Sequence, residues 1–153
     1  MIIGILKDSG AERRVAMLPG EVAAVRLTGI DVMTEKGAGE KAFTGDDAYL
    51  SAGAVVRERT EVISESSVLL TVNPVPEADL DLFRVGQVLC SVVNPAENVE
   101  WLEKARKKGL TVLALDLVPR ITRAQSMDVL SSMATVAGYK AVLAAASVLP
   151  KFF

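Results

Sequence analysis

The chain has 153 residues, of which 50% are hydrophobic and 24% charged, and its formal net charge is −2. This length and composition suit one globular domain with a substantial apolar core. Because the 17 basic and 19 acidic side chains are spread along the chain without a long run of either sign, the sequence does not predict nucleic-acid binding. One cysteine and no histidine exclude an intrachain disulfide and a zinc or copper centre built on thiolates and imidazoles.

The N-terminal segment MIIGILKDSG has no basic residues ahead of its apolar run, and that run ends at Lys7. It does not resemble a signal peptide, so we expect a cytoplasmic protein. Cys90 lies inside the apolar run QVLCSVV, where a small buried thiol is expected rather than a nucleophile.

Short runs rich in β-branched residues alternate with helical segments along the chain. The predicted strands cover residues 2–6, 31–35, 54–56, 68–72, 87–93 and 111–116. This alternation predicts an α/β fold with a mostly parallel open sheet of about six strands and helices on both faces. Such a flavodoxin-like or Rossmann-like domain would end in a long C-terminal helix.

The clearest helical signal covers residues 94–109. Asn94 can cap that helix, Pro95 suits its first turn, and Gly109 can end it. Weaker signals predict helices from Pro19 to Gly29 and over residues 46–52.

The last segment, residues 128–150, is a nearly uncharged run of helix formers with many small residues. A membrane span would place Lys140 near the bilayer centre, at a cost of about 2.5 to 3.5 kcal/mol. We therefore favour a long helix covered by protein. Because a six-stranded sheet offers little surface for it, we expect the helix to dock on a second copy of the chain or on another domain.

The glycine-rich stretch GAGEKA, residues 37–42, fits the dinucleotide fingerprint, and Glu58 follows at a distance suited to holding a ribose. However, the fingerprint must open directly into a helix, whereas Thr44 and Gly45 follow here. A turn with glycines in unusual backbone conformations is the favoured interpretation.

Two polar loops follow predicted strands, where open α/β sheets bind ligands. The first loop contains ERRVAML, residues 12–18, whose arginines suit an anion or a carboxamide or are simply solvated. The second loop precedes the terminal helix. Helix capping requires one short polar side chain, whereas this loop also contains Arg and Gln, each of which offers several hydrogen-bond donors. Its polar residues are Asp116, Arg120, Arg123, Gln125 and Asp128, with Ser131 and Ser132 in the first helical turn.

Three segments resemble the N-terminal domain shared by alanine dehydrogenase and the nicotinamide nucleotide transhydrogenases. They are MIIGILKDSGAERRVAMLPGEV, GAGEKAFTGDDAYLSAGA and PRITRAQSMDVLSSMATVAGYKAV, and the last is most similar to the NAD(H)-binding alpha subunit of proton-translocating NAD(P) transhydrogenase. The resemblance runs over residues 1–153. It implies that Arg120, Gln125, Asp128 and Ser131 lie over the nicotinamide of NAD(H), with Gln125 near the second nicotinamide. Arg14 corresponds to the family's arginine in the first loop.

Two positions depart from the family. Thr71 stands where relatives typically have lysine, and Asn94 stands where the amino-acid dehydrogenases have histidine. Amino-acid oxidation needs a general base, whereas hydride transfer between two nicotinamide rings needs only alignment. The sequence therefore favours an oxidoreductase role within a transhydrogenase. The alternatives are a catalytically inactive binding or assembly module and, less favoured, an alanine dehydrogenase fragment.

The resemblance also implies partners. The main NAD(H) pocket is expected on a Rossmann domain beyond the single domain of residues 1–153, so the isolated chain is expected to be inactive. NADP(H) is expected on a partner component, with a membrane component for proton translocation. We expect a homodimer that is cytoplasmic and peripheral to the inner membrane through its partners, without a direct membrane span.

Overall fold

The computed structural model describes residues 1–150 and contains two compact units, Met1–Ala114 and a second unit that begins at Leu115. All six strands of the first unit pair in parallel, in the order β3-β2-β1-β4-β5-β6. This confirms the predicted sheet. The strands are β1 Ile2–Ile5, β2 Asp31–Glu35, β3 Val55–Arg57, β4 Val68–Leu70, β5 Val88–Ser91 and β6 Thr111–Ala114.

The helices of the first unit cover both faces of the sheet. They are α1 Pro19–Arg26, α2 Asp46–Ser51, α3 Arg59–Glu65 and α4 Val99–Lys107. Val32 and Met33 are neighbours in β2 and therefore point to opposite faces, and each belongs to a different core cluster. The Val32 cluster includes Val22 of α1 and Tyr49 of α2. The Met33 cluster includes Val62 of α3 and Trp101 of α4.

The start predicted for the helix at residues 94–109 is wrong by four positions, because the cap position is Asn98 and not Asn94. Asn94 adopts the left-handed conformation, with φ 47°, so it cannot open a helix there. A turn follows, and α4 begins at Val99 after Asn98, whose side-chain amide donates to the carbonyl oxygen of Val93 at 2.8 Å. The predicted end is confirmed because Gly109, with φ 76°, follows the last turn.

Helices α1 and α2 lie within their predicted ranges, whereas α3 is not among the predicted helices. Its N-terminus carries none of the usual capping residues, and Glu58 performs this role instead. Glu58 and Glu61 form a reciprocal capping box, in which the Glu61 carboxylate accepts from the Glu58 N–H at 3.2 Å.

Arg59, in the first turn of α3, ties the carboxyl edge of the sheet together. Its guanidinium donates to the carbonyl oxygen of Lys7 at 3.0 Å and to the carboxylates of Glu35 and Asp79 at 2.6 to 2.9 Å. The ends of β1 and β2 are thereby held at fixed separation.

Tyr49 provides a pH-dependent contribution to stability. Its ring is fully buried, and its hydroxyl donates to the carbonyl oxygen of Met17 at 2.8 Å. Burial, assisted by the negative charges of Glu21 and Asp46, raises the pKa of Tyr49 to about 12. An unfolded tyrosine ionises near pH 10, so the stability from the neutral phenol is present below about pH 10 and lost as the pH rises towards 12.

We expect Tyr49→Phe to lose about 1 kcal/mol of unfolding free energy at neutral pH, because the Met17 carbonyl loses its donor. Between about pH 10 and pH 12 the variant should lose stability less steeply than the parent chain. Urea denaturation at a series of pH values measures both effects. Parallel curves for the two proteins would contradict the assignment.

The second unit contains two 3-10 turns, Leu115–Leu117 and Thr122–Met127, followed by α5, Val129–Val148. The long helix is confirmed. No side chain of α5 is buried, so the protein cover expected for this helix is not supplied within residues 1–150. By length and composition α5 could cross a membrane, and Lys140 lies in its middle part.

Candidate functional site

The carboxyl ends of β1 and β4 lie side by side at the centre of the sheet. Strand β1 pairs with β2 on one side and β4 on the other, so the strand order reverses between β1 and β4. Open α/β sheets bind ligands in the crevice at such a switch point. We call the residues that follow β1 and β4 here, Asp8 to Arg14 and Thr71 to Asn73, the switch-point cluster.

Asp8 joins the two sides of the switch-point cluster. Its carboxylate is 8% exposed and accepts the backbone N–H of Val72 at 2.9 Å and that of Asn73 at 2.8 Å. A buried carboxylate is stable when backbone donors satisfy it in this way. Asp8 therefore fixes the end of β4 against the loop that follows β1.

Arg14 forms a two-point ion pair with Glu12. The guanidinium Nε and Nη2 atoms donate to the two carboxylate oxygens at 2.9 and 2.7 Å. The bonds from Arg14 hold the pKa of Glu12 well below its usual range, although partial burial acts in the opposite direction. Asn73 adds a further bond, from its side-chain nitrogen to Glu12 at 3.1 Å.

Thr71 occupies the position where the resemblance led us to expect lysine. It is 3% exposed, and its hydroxyl has no hydrogen-bond partner among residues 1–150. A threonine hydroxyl carries no charge and is a poor acid or base near neutral pH. This crevice therefore lacks the ammonium group that a lysine would supply.

The other arginine of the first loop has a different environment. The Arg13 guanidinium lies over the ring of Phe43, 5.6 Å from its centroid. Phe43 adopts a left-handed backbone conformation, with φ 59°, and its side chain is 90% exposed. The two arginines of ERRVAML are thus both engaged within the chain, one by a carboxylate and one by an aromatic ring.

The GAGEKA segment forms a turn and no α-helix. Gly37 has φ 70°, and only the 3-10 turn Glu40–Ala42 follows the glycines. A Cβ on Gly39 would lie 2.7 Å from the carbonyl oxygen of Thr44, so this position requires glycine for close packing. Glu58 caps α3. The geometry agrees with the turn and not with the dinucleotide fingerprint.

The second polar loop is described by itself, because it belongs to the second unit. Asp128 is the N-cap of α5, accepting the Ser131 N–H at 2.9 Å and the Ser131 hydroxyl at 2.6 Å. These bonds from Ser131 lower the pKa of Asp128, and the positive charge of Arg120 acts in the same direction. Asp128 is therefore a carboxylate at neutral pH, and it caps α5, the alternative to a ligand-binding role.

Arg120 and Gln125 have exposed side chains that make no hydrogen bond within residues 115–150. Their donors and the Gln125 carbonyl oxygen are available to a ligand. Of the four residues that the resemblance assigns to this loop, the geometry brings Asp128 and Ser131 into contact. Arg14 lies in the first unit, in the ion pair with Glu12.

Asp8, Glu12 and Asn73 were not among the residues singled out from the sequence. Asp8 and Asn73 lie three positions after the ends of β1 and β4, which is the available sequence signal, whereas Glu12 lies further along the first loop. Cys90 is half-buried in β5, and burial raises the pKa of its thiol. A thiol that is protonated at neutral pH fits the expected inert role.

The strand order 3-2-1-4-5-6 and the switch-point crevice define a doubly wound, Rossmann-like α/β domain. The family model described as "Alanine dehydrogenase/PNT, N-terminal domain" matches residues 4–137. The chain therefore belongs to this family of N-terminal domains, as the resemblance predicts.

The chain is 43% identical over 143 residues to the NAD(P) transhydrogenase subunit alpha of Cereibacter sphaeroides, covering 93% of the chain and 27% of that protein. It is 33% identical to the alanine dehydrogenase of Bacillus subtilis, covering 99% of the chain and 39% of that protein. The crystal structure of transhydrogenase from Sinorhizobium meliloti superposes with a TM-score of 0.94 and 38% identity. That match covers 99% of this chain and 46% of the other. The chain thus spans less than half the length of each of these relatives.

Proposed function

We propose that this chain is the N-terminal domain of the NAD(H)-binding component of a proton-translocating NAD(P) transhydrogenase. In this proposal, the turn of Arg120, Gln125, Asp128 and Ser131 positions the nicotinamide ring for hydride transfer from NADH to NADP. The proposal rests on one observation. In one short turn, the Asp128 carboxylate is fixed as a helix cap, whereas the side chains of Arg120 and Gln125 are exposed and make no hydrogen bond within residues 115–150.

The chemistry of the turn supports positioning rather than proton transfer. Direct hydride transfer requires two nicotinamide C4 atoms held close together and water excluded, and it requires no general base. The turn offers the Gln125 amide and the Arg120 guanidinium, which suit the carboxamide of a nicotinamide. Thr71 supplies no charged acid or base at the switch-point crevice. Similarity to transhydrogenase alpha subunits supports the same assignment.

The assembled enzyme would supply what this domain lacks. The main NAD(H) pocket belongs to a Rossmann domain of the same component, NADP(H) binds a partner component, and a membrane component couples hydride transfer to proton movement. The exposed apolar residues of α5 support docking on another protein surface, with a homodimer as the proposed arrangement. The domain would then be cytoplasmic and held at the inner membrane through its partners.

Asp128 allows the capping role and the nucleotide role to be separated. Asparagine caps helices about as well as aspartate, so Asp128→Asn should keep the α5 start within a few tenths of a kcal/mol, whereas Asp128→Ala should lose about 1 kcal/mol. If the Asp128 carboxylate also serves the nucleotide, both variants should slow NADH-dependent reduction of an NADP analogue at least about tenfold in the assembled enzyme. If Asp128→Ala slows the reaction and Asp128→Asn does not, Asp128 serves only as a helix cap.

A second candidate function is a binding or assembly module of the same fold without catalysis. The observation that favours it is the uncharged, unpartnered hydroxyl of Thr71 where the family's lysine is expected. The activity of the unchanged chain in the assembled complex distinguishes the two. The transhydrogenase proposal expects NADH-dependent reduction of an NADP analogue, whereas the module expects none. An alanine dehydrogenase fragment would instead give alanine-dependent NADH formation with a complementary Rossmann domain.

A further inference from the structure

We infer that Glu12, Asn73 and Asp8 are positioning residues that hold the Arg14 guanidinium in one orientation at the switch point, ready to donate to an acceptor oxygen of the bound nucleotide. This inference rests on the proposed function for the identity of the ligand, because Arg14 is one of its proposed nucleotide contacts. The three positioning residues need not touch the nucleotide. They act through Arg14.

Glu12 is fixed by donors other than the Arg14 guanidinium. One of its carboxylate oxygens accepts the backbone N–H of Arg13 and that of Arg14, each at 2.9 Å, in addition to Nε of Arg14. The Glu12 side chain is 15% exposed. A carboxylate held by its own loop backbone and paired at two points leaves the guanidinium little freedom to rotate.

Asn73 connects the Glu12–Arg14 pair to the other side of the switch point, and we call Glu12, Asn73 and Asp8 together the clamp on Arg14. Its side-chain nitrogen donates to Glu12 at 3.1 Å and to Asp8 at 3.3 Å. Asp8 in turn is held by the backbone N–H groups of Val72 and Asn73. The orientation of Arg14, in the loop after β1, is therefore fixed relative to the end of β4.

Glu12 uses only some of the N–H donors of the Arg14 guanidinium. A guanidinium has five N–H groups, and Glu12 accepts from Nε and Nη2. The remaining donors have no hydrogen-bond acceptor among residues 1–150, and the Arg14 side chain is 51% exposed. A half-exposed ion pair adds little to stability by itself. The attachment of this pair to Asn73 and Asp8 is explained better by preorganisation, which removes the ordering cost from ligand binding.

The first test measures the orientation of Arg14 directly in the full chain. We expect the Arg14 Nε–H group to have an NMR order parameter of about 0.85, and we expect this value to fall below about 0.6 in Glu12→Gln. The control is Glu103→Gln, which changes an exposed pair on α4 in which Nε and Nη2 of Arg106 both donate to one carboxylate oxygen of Glu103. The control should leave the Arg14 signal unchanged. An Arg14 order parameter that is unchanged in Glu12→Gln would overturn the inference.

The second test is a double-mutant cycle on NADH binding, by calorimetry on the complete NAD(H)-binding component. Arg14→Ala should raise the Kd about tenfold and Glu12→Gln about fivefold, whereas kcat, measured separately in the assembled enzyme, should change less than about twofold. Because Glu12 acts through Arg14, the double variant should bind no more weakly than Arg14→Ala. Additive losses would overturn the inference. An ordered Arg14 whose removal leaves the Kd unchanged would instead refute the proposed nucleotide contact and leave the clamp intact.

Discussion

Replacing Gln125 by leucine is expected to slow hydride transfer from NADH to an NADP analogue about a hundredfold in the assembled enzyme. The Gln125 side chain is exposed and makes no hydrogen bond within the second unit, so its amide is free to orient a nicotinamide carboxamide. Leucine has a similar size but no donor or acceptor. Misplacement of reacting atoms by about 1 Å costs about a hundredfold in rate. Single-turnover stopped-flow absorbance measures the transfer step.

The matched control for Gln125→Leu is Ser126→Ala, at the next position of the same turn. It should leave the transfer rate within about twofold, because we assign it no contact with the nucleotide. Leucine at position 125 should change the Kd for NADH much less than the transfer rate, since it removes alignment rather than the main pocket. A rate for Gln125→Leu that matches the control would refute the assigned role.

Gly4→Ala is expected to cost about 3 kcal/mol of unfolding free energy, the largest effect on stability that we predict. Gly4 lies in β1, where a Cβ would come within 2.4 Å of the Ser66 hydroxyl oxygen and 2.9 Å of both Ser66 Cβ and Val62 Cγ1. The Ser66 hydroxyl can rotate away, but the two carbons belong to fully buried residues. The added methyl group must therefore push α3 away from the sheet.

Gly20→Ala provides the control for this change. Gly20 lies in α1, and a Cβ there would meet nothing within 4 Å. Alanine has the higher helix propensity, so this variant should gain up to about 1 kcal/mol. Urea denaturation of both variants gives the comparison. Similar stabilities for Gly4→Ala and the parent chain would show that β1 and α3 pack less closely than described.

The sheet could be predicted from the sequence because each strand is a short apolar run between turn residues. The helices were harder to predict from the sequence. The start of α4 is displaced because Asn94 takes a left-handed conformation, and Asn, which favours both caps and turns, does not distinguish these outcomes. Helix α3 starts with a glutamate cap in place of the preferred Ser, Thr, Asp or Asn.

The candidate site likewise contains some features that could be predicted from the sequence and others that could not. Asp128 could be recognised as a cap because the residue type and its place before an apolar run are local signals. The clamp on Arg14 could not, because Asn73 is 61 positions from Glu12 in sequence and reaches it only through the β1–β4 pairing. The roles of Arg120, Gln125, Asp128, Ser131 and Arg14 at a nucleotide come from the family resemblance and stay predictions.

The proposed function requires that the turn of residues 120–131 contacts a nicotinamide ring bound elsewhere in the assembled component. The most direct measurement is an intermolecular NOE between the side-chain amide protons of Gln125 and the nicotinamide ring protons of NADH in the complete component. We predict such NOEs and a shift of the Gln125 amide resonances at saturating NADH. Unchanged Gln125 resonances, in a sample where NADH is demonstrably bound, would contradict the claim.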